Sequence, residues 1–293
     1  MPFLHILFAI AVVTIWGGNF IAAKYQLFHL PPFFATGLRF ALVALLVVVF
    51  VNIPTKRELK AIGVLSVLAT AHFSLPYVGM SMGLNIASTA IVAQMGVPFS
   101  CLLGALLLSD RLGKWRLSGM VIAFFGMSIV LGSPNALDHP LAFMLTLAGA
   151  FFWGLSNIVM KMEHVEQVNV MQMLGWMSLL AAPQLLLISA VLEPGAWQTL
   201  ETIPMSALLG LLYTVVLSTL VAHGLWYFLI KSHPITYIAP YSLMVPVLGT
   251  WFASLFFGEQ ITWHILLGGL ITLVGVAIIV IRRPKIVAHG EAT

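Results

Sequence analysis

Apolar runs of about twenty residues follow one another along the whole chain, each cut from the next by a few turn residues or charges. A bilayer core about 30 Å thick is crossed by roughly 20 mostly apolar residues in a helix. Hydrocarbon satisfies no backbone polar group, so a run of that length and composition is constrained to be helical. The runs cover His5–Lys24, Phe33–Val51, Leu59–Tyr77, Ile86–Leu108, Trp115–Leu131, Leu141–Lys161, Val170–Leu192, Met205–Ile230, Ile235–Phe257 and Trp263–Ile281. The expected fold is an all-α integral membrane protein with ten transmembrane helices. No segment between the runs is long enough for a soluble domain. Composition agrees, with 61% hydrophobic and 8% charged residues where a soluble domain has about 25% charged. The first run, Phe3 to Ala23, is longer than a signal-peptide core and lacks a basic leader, so it reads as a retained helix.

The few charges say which way the helices run. Lys56, Arg57, Lys60, Arg111, Lys114, Arg116, Lys161, Lys231, Arg282, Arg283 and Lys285 fall in segments on one side, and Lys24 alone falls opposite. Basic loops stay in the cytoplasm, which puts both termini there and Asp138, Glu193, Glu201 and Glu259 outside. The net charge of +4 is too thinly spread to make a basic face for nucleic acid. A lone Cys101 allows no intrachain disulfide and no multi-cysteine metal site, and reads as a small core residue.

The chain also repeats itself. Trp16-Gly17 precedes Lys24 at the same separation as Trp153-Gly154 precedes Lys161. Later, Val97-Pro98, Asp110, Gly119 and Gly126 are echoed by Val245-Pro246, Glu259, Gly268 and Gly275. The two units are residues 1–135 and 136–293. Each holds an odd number of spans, so the second enters the membrane from the opposite side, and Lys24 outside with Lys161 inside fits that inversion. Inverted five-helix repeats are a common transporter plan, in which two halves exchange conformations around a midplane site.

These stretches resemble the drug/metabolite transporter superfamily, in particular its EamA-type members. The resemblance is carried by Ile15-Trp16-Gly17-Gly18-Asn19-Phe20, by Pro31-Pro32 followed by Gly37-Leu38-Arg39-Phe40, and by Phe143-Met144-Leu145-Thr146-Leu147 ahead of Trp153. In the last third it is carried by Ala239-Pro240-Tyr241-Ser242-Leu243-Met244-Val245-Pro246-Val247 and Gly258-Glu259-Gln260. It implies a multi-pass carrier of the bacterial inner membrane that exports amino acids or related metabolites. The wording is most similar to exporters of cysteine and O-acetylserine, with aromatic amino-acid exporters of the YddG type as relatives. One departure is Glu259-Gln260 where the family often has Glu-Arg, while the first half carries Asp110-Arg111.

Polar and aromatic side chains inside the spans are the candidate substrate ligands, because such groups are costly against lipid. Trp16 and Asn19 in the first span and Trp153 and Asn157 in the sixth lie on shared helical faces. Gln94 accompanies Pro98 in the fourth, and Tyr237, Tyr241 and Met244 make an i, i+4, i+7 stripe in the ninth. His72 and Tyr77 flank Pro76, and Thr219, His223 and Trp226 share a stripe in the eighth, with Tyr213 nearer the outer end. Pro98 and Pro246 each free a carbonyl one turn back and are candidate hinges. For each there is a plainer account: helix packing assisted by Gly17, Gly18 and Gly154, an interfacial aromatic belt, static bends, or satisfied bundle histidines. Arg39 either snorkels to the outer interface or caps a helix end, or else anchors a substrate carboxylate.

No Asp or Glu sits in the middle of a span, which favours facilitated exchange over carboxylate-borne proton coupling. Proton-coupled multidrug efflux through histidine is the rival, and a small-solute channel the second. His-Glu-x-x-His, Gly-x-Ser-x-Gly and P-loop patterns are absent, so neither an enzyme nor an ATPase is expected. The expected partners are a small-molecule substrate and the lipid bilayer, with no nucleic acid, no cofactor and no metal, and the chain is expected to work as a monomer.

Overall fold

The computed structural model describes residues 1–108, 113–162, 168–233 and 235–281. Ten helices in it are long and apolar enough to cross a membrane. They are α1 (Phe3–Leu27), α2 (Pro32–Phe50), α3 (Lys56–Ser81), α4 (Ile86–Leu107), α5 (Lys114–Leu131), α6 (Pro140–Lys161), α7 (Val170–Leu192), α8 (Met205–Ser232), α9 (Ala239–Phe257) and α10 (Trp263–Ile281). No strand occurs among the described residues. Arg111, Arg282, Arg283 and Lys285, used above to orient the chain, and Asp110 of the repeat echo lie outside the described residues.

Local chemistry explains where the helices start. Pro31 and Pro32 open α2, a position where a missing N–H costs nothing. Thr55 and Glu58 form a capping box on α3, and Asn85 accepts the Ser88 N–H at the start of α4, 2.8 Å away. Two acidic caps come from a different helix. Glu193 at the end of α7 accepts the Phe33 and Phe34 N–H groups of α2, both at 2.9 Å. Glu259, just past α9, accepts those of Ile86 and Ala87 at 2.8 and 3.1 Å. A carboxylate there meets both the unpaired N–H groups and the positive end of the helix dipole. The motif Gly258-Glu259-Gln260 is thus structural at its carboxylate, and Gly258, at φ 64°, supplies the left-handed turn that ends α9.

Packing runs between the halves in reciprocal pairs. Helix α1 lies against α8 and α9, and α6, its counterpart, lies against α3 and α4; α2 pairs with α7, and α5 with α10. The echoed glycines make the last pair. A Cβ on Gly119 would stand 2.7 Å from the Gly275 carbonyl oxygen, and one on Gly268 would stand 2.8 Å from that of Gly126. These contacts run α5 and α10 antiparallel, and their small residues let the backbones touch. Likewise Gly37 meets Leu185 and Leu186 while Gly175 meets Val47 and Val48, so α2 and α7 interlock through the same register read from either helix. Gln26 ties α1 to α8, donating from Nε2 to the Gly210 carbonyl at 3.1 Å. Outward-facing residues such as Leu45, Val49 and Leu187 stay exposed, as hydrocarbon allows.

Candidate substrate cavity

A cavity of about 390 Å³ lies between the halves. Helix α1 contributes Trp16, Asn19 and Phe20, and α6 contributes Trp153, Ser156 and Asn157 at the same i, i+3, i+4 spacing. Ser156 was missed in the sequence, although it stands three residues past its tryptophan as Asn19 does past Trp16. The Asn157 side chain is held by the Ser100 hydroxyl, accepting from Nδ2 at 3.1 Å.

Both α4 and α9 are interrupted where they reach the cavity. Helix α4 is regular over Ile86–Ala93 and again from Gly96. In α9 a 3-10 stretch, Ala239–Leu243, precedes a regular segment from Met244. Gln94 and Val97 line the cavity from the first break, and Ser242 and Val245 from the second, four and one residues before each proline. Pro98 and Pro246 are buried in the first turn of the restarted segments, where no N–H is needed. The expected free carbonyl at Gln94 is not free: the Val97 N–H donates to it at 3.2 Å. The prolines therefore restart interrupted helices rather than bend continuous ones.

Each cavity histidine meets the tryptophan of the other half. His72 stacks on Trp153 at 6.2 Å between centroids, and its Nδ1 bonds the Gly149 carbonyl at 3.1 Å. His223 meets Trp16 edge-on at 5.3 Å, with Nδ1 on the Ser218 carbonyl at 2.9 Å. A carbonyl only accepts, so each Nδ1 carries its hydrogen. The Ser218 carbonyl also takes the Trp16 Nε1–H at 3.3 Å. It belongs to a π-helical stretch, Tyr213–Val221, and such wide turns concentrate at functional sites.

Arg39 turns inward to the cavity and is 3% exposed, so neither snorkelling to the interface nor capping describes it. Its Nε and Nη2 donate to Thr219 Oγ1 at 3.2 and 2.9 Å, and Cζ stands 5.1 Å from the centre of the Phe73 ring. Thr219 Oγ1 in turn donates to the Thr214 carbonyl at 2.7 Å. Met160, Met173 and Met177 also line the cavity, and ordinary membrane-core composition gave no signal for them.

Four of the expected site residues lie elsewhere. Tyr77 is 4% exposed in an apolar cluster with Leu30 and Phe34. Tyr213 donates to the Ile15 carbonyl at 3.0 Å and lines a separate groove of about 500 Å³ with Thr14, Gly18 and Tyr25. Tyr237 is 64% exposed, and Tyr241 packs against the Ala9, Leu229 and Ile238 cluster. The stripe through Tyr237, Tyr241 and Met244 presumed a continuous α-helix. The 3-10 stretch rotates it off one face.

Comparison with known proteins agrees with this architecture. Residues 3–132 and 140–281 match the EamA-like transporter family. A Salmonella typhimurium protein named "Probable amino-acid metabolite efflux pump" is 34% identical over 92% of this chain and 92% of its own. An Escherichia coli protein of the same name is 32% identical over 97% of each. A crystal structure shares the fold at a TM-score of 0.62 and 16% identity, covering 93% of this chain and 94% of its own. The chain belongs to the EamA-like transporter family, and is a multi-pass cell-membrane transporter and not an enzyme.

Proposed function

We propose that this protein is an alternating-access secondary exporter of amino acids and related small metabolites. In this reading, residues 1–135 and 136–293 form two inverted five-helix halves with both termini in the cytoplasm. The observation that carries it is that one cavity is walled by equivalent positions of both halves: Trp16 with Trp153, Asn19 with Ser156, Gln94 with Ser242, and Val97 with Val245. Two halves that exchange conformations need a site built from both. The reciprocal helix pairs and antiparallel glycine contacts support the inversion, and the names of the relatives support amino-acid metabolites as cargo. The interrupted α4 and α9 would supply the give, with Pro98 and Pro246 at the restart points. Trp16, Asn19, His72, Gln94, Trp153, Asn157 and His223 would line the transport site of a monomer.

No carboxylate among the described residues lines the cavity, which favours exchange without an imposed ion gradient. The test is counterflow in liposomes containing the purified chain, with a panel of labelled amino acids. A carrier accelerates uptake when unlabelled substrate is inside, without a pH or sodium gradient, and Trp153→Ala lowers that rate. Flux indifferent to internal substrate would replace the carrier with a channel, and strict dependence on a proton gradient would favour histidine-coupled efflux.

A further inference from the structure

We infer that Arg39 is the binding residue for a free carboxylate on the cargo and fixes that end of the cargo in the cavity. This rests on the exporter reading above and narrows it to carboxylate-bearing substrates.

A guanidinium offers five N–H donors and never loses its charge. Here it meets one threonine hydroxyl, the face of Phe73 and the neighbouring Tyr77, all uncharged. No Asp or Glu among the described residues lines the cavity beside it. A buried charge in a membrane bundle is expensive unless it is paired. A carboxylate entering the cavity would pair it through a charge-assisted hydrogen bond from the planar fork.

The site is built to aim that fork. Thr219 spends its own hydrogen on the Thr214 carbonyl and so presents lone pairs to Nε and Nη2. With those donors tied, Nη1 remains for a ligand.

The interlock of α2 with α7 adds an independent argument. Gly37 and Gly175 occupy equivalent places in that pair. Two residues beyond them stand Arg39 and Met177, and both line the cavity. Matched positions thus carry a cation in one half and a thioether in the other. Arg39 alone among the described lining residues is a Lys, Arg, Asp or Glu, so a carboxylate has one place to seat. An ammonium group then needs an acceptor, and Asn19 Oδ1 is buried in the cavity wall with no hydrogen-bond partner.

The test compares amino acids with their own carboxamides in the counterflow assay. L-Leucine, L-phenylalanine, L-methionine and O-acetyl-L-serine are each run beside the corresponding amide, on parent protein, Arg39→Gln and Arg39→Lys. A charge-assisted contact of this kind sets the acid-to-amide preference of the parent at about 10- to 100-fold. Arg39→Gln brings the ratio near one, and Arg39→Lys restores part of it because charge returns without the fork. The ratio is taken within one preparation, so a lower yield of folded variant does not disturb it. Equal flux of acid and amide through the parent, or an unchanged ratio in Arg39→Gln, overturns the assignment and leaves the exporter standing. No flux of any acid through the folded parent overturns both.

Discussion

Replacing Glu259 separates a carboxylate that transports from one that holds a helix. Its oxygens accept two backbone N–H groups of α4 at 2.8 and 3.1 Å. Hydrogen bonds to a charged group contribute about 1.5–3 kcal/mol each when well buried, and the helix dipole adds about 0.3–1 kcal/mol. Glu259 is half-buried, so water replaces part of what is lost. Asn85 also remains to cap the same helix. Glu259→Ala is therefore expected to destabilise by about 1–2 kcal/mol, and Glu259→Gln, which keeps one acceptor, by about half of that. At roughly 2–4 °C per kcal/mol for a chain of this size, the midpoint falls by about 2–8 °C for the alanine variant. Thermal unfolding in detergent, followed by tryptophan fluorescence, reads the shift, and counterflow below the transition reads function. Both variants are expected to exchange substrate at near-parent rates per folded molecule. An unchanged midpoint with abolished exchange would refute the capping argument and return Glu259 to the transport machinery.

Three further outcomes follow from the packing. Gly126→Ala forces a methyl against Gly268 and Thr272 and is expected to destabilise by about 1–3 kcal/mol; Gly63→Ala, where a Cβ meets nothing within 4 Å, serves as the control and is neutral or slightly stabilising in the same thermal assay. Tyr237→Ala leaves exchange unchanged in counterflow, because that side chain is 64% exposed and outside the cavity. His233, beyond the end of α8, is held below the usual histidine range by loss of surrounding water and then by His5, whose Nδ1 is 2.6 Å from His233 Nε2. The unfolded chain then binds more protons than the folded one below about pH 6.5, so stability rises with pH through that window and is lost on acidification. Midpoints measured from about pH 5 to 7.5 should show that slope in the parent and a flatter one in His233→Gln.

The membrane helices were legible because apolar length is a direct readout of bilayer thickness. The glycine echo was legible for the same kind of reason: only Gly lets α5 and α10 touch backbone to backbone. What sequence periodicity hides is a change of helix type. A 3.6-residue wheel laid over Ile235–Phe257 put three large residues on one face, but Ala239–Leu243 is 3-10. Pro240 was the available signal, as it opens that stretch. The π-helical turn over Tyr213–Val221 leaves no mark in composition, and it exposes the Ser218 carbonyl that holds both Trp16 and His223. Arg39 was visible from the start as a charge inside a span. Its inward turn depends on Thr219, 180 residues away in the chain, and no local pattern encodes that pairing.

The matched positions divide into two groups, and the division bears on how a two-half carrier acquires a preference. Trp16 with Trp153 and Val97 with Val245 are the same residue in both halves. In the proposed alternating-access carrier such pairs would let the halves adopt each other's packing without losing contacts. Arg39 with Met177 and Phe20 with Asn157 differ. A strictly symmetric cavity would hold a cargo equally well in two opposed orientations and offer no distinction between its ends. Unlike residues at matched positions remove that degeneracy while leaving the helix interfaces alone. On this argument Met177→Arg is more damaging to cargo orientation than Trp153→Phe. It places a second cation in the cavity at the position matched to Arg39, and its expected signature in counterflow is a loss of discrimination among side chains of different polarity, with exchange itself retained.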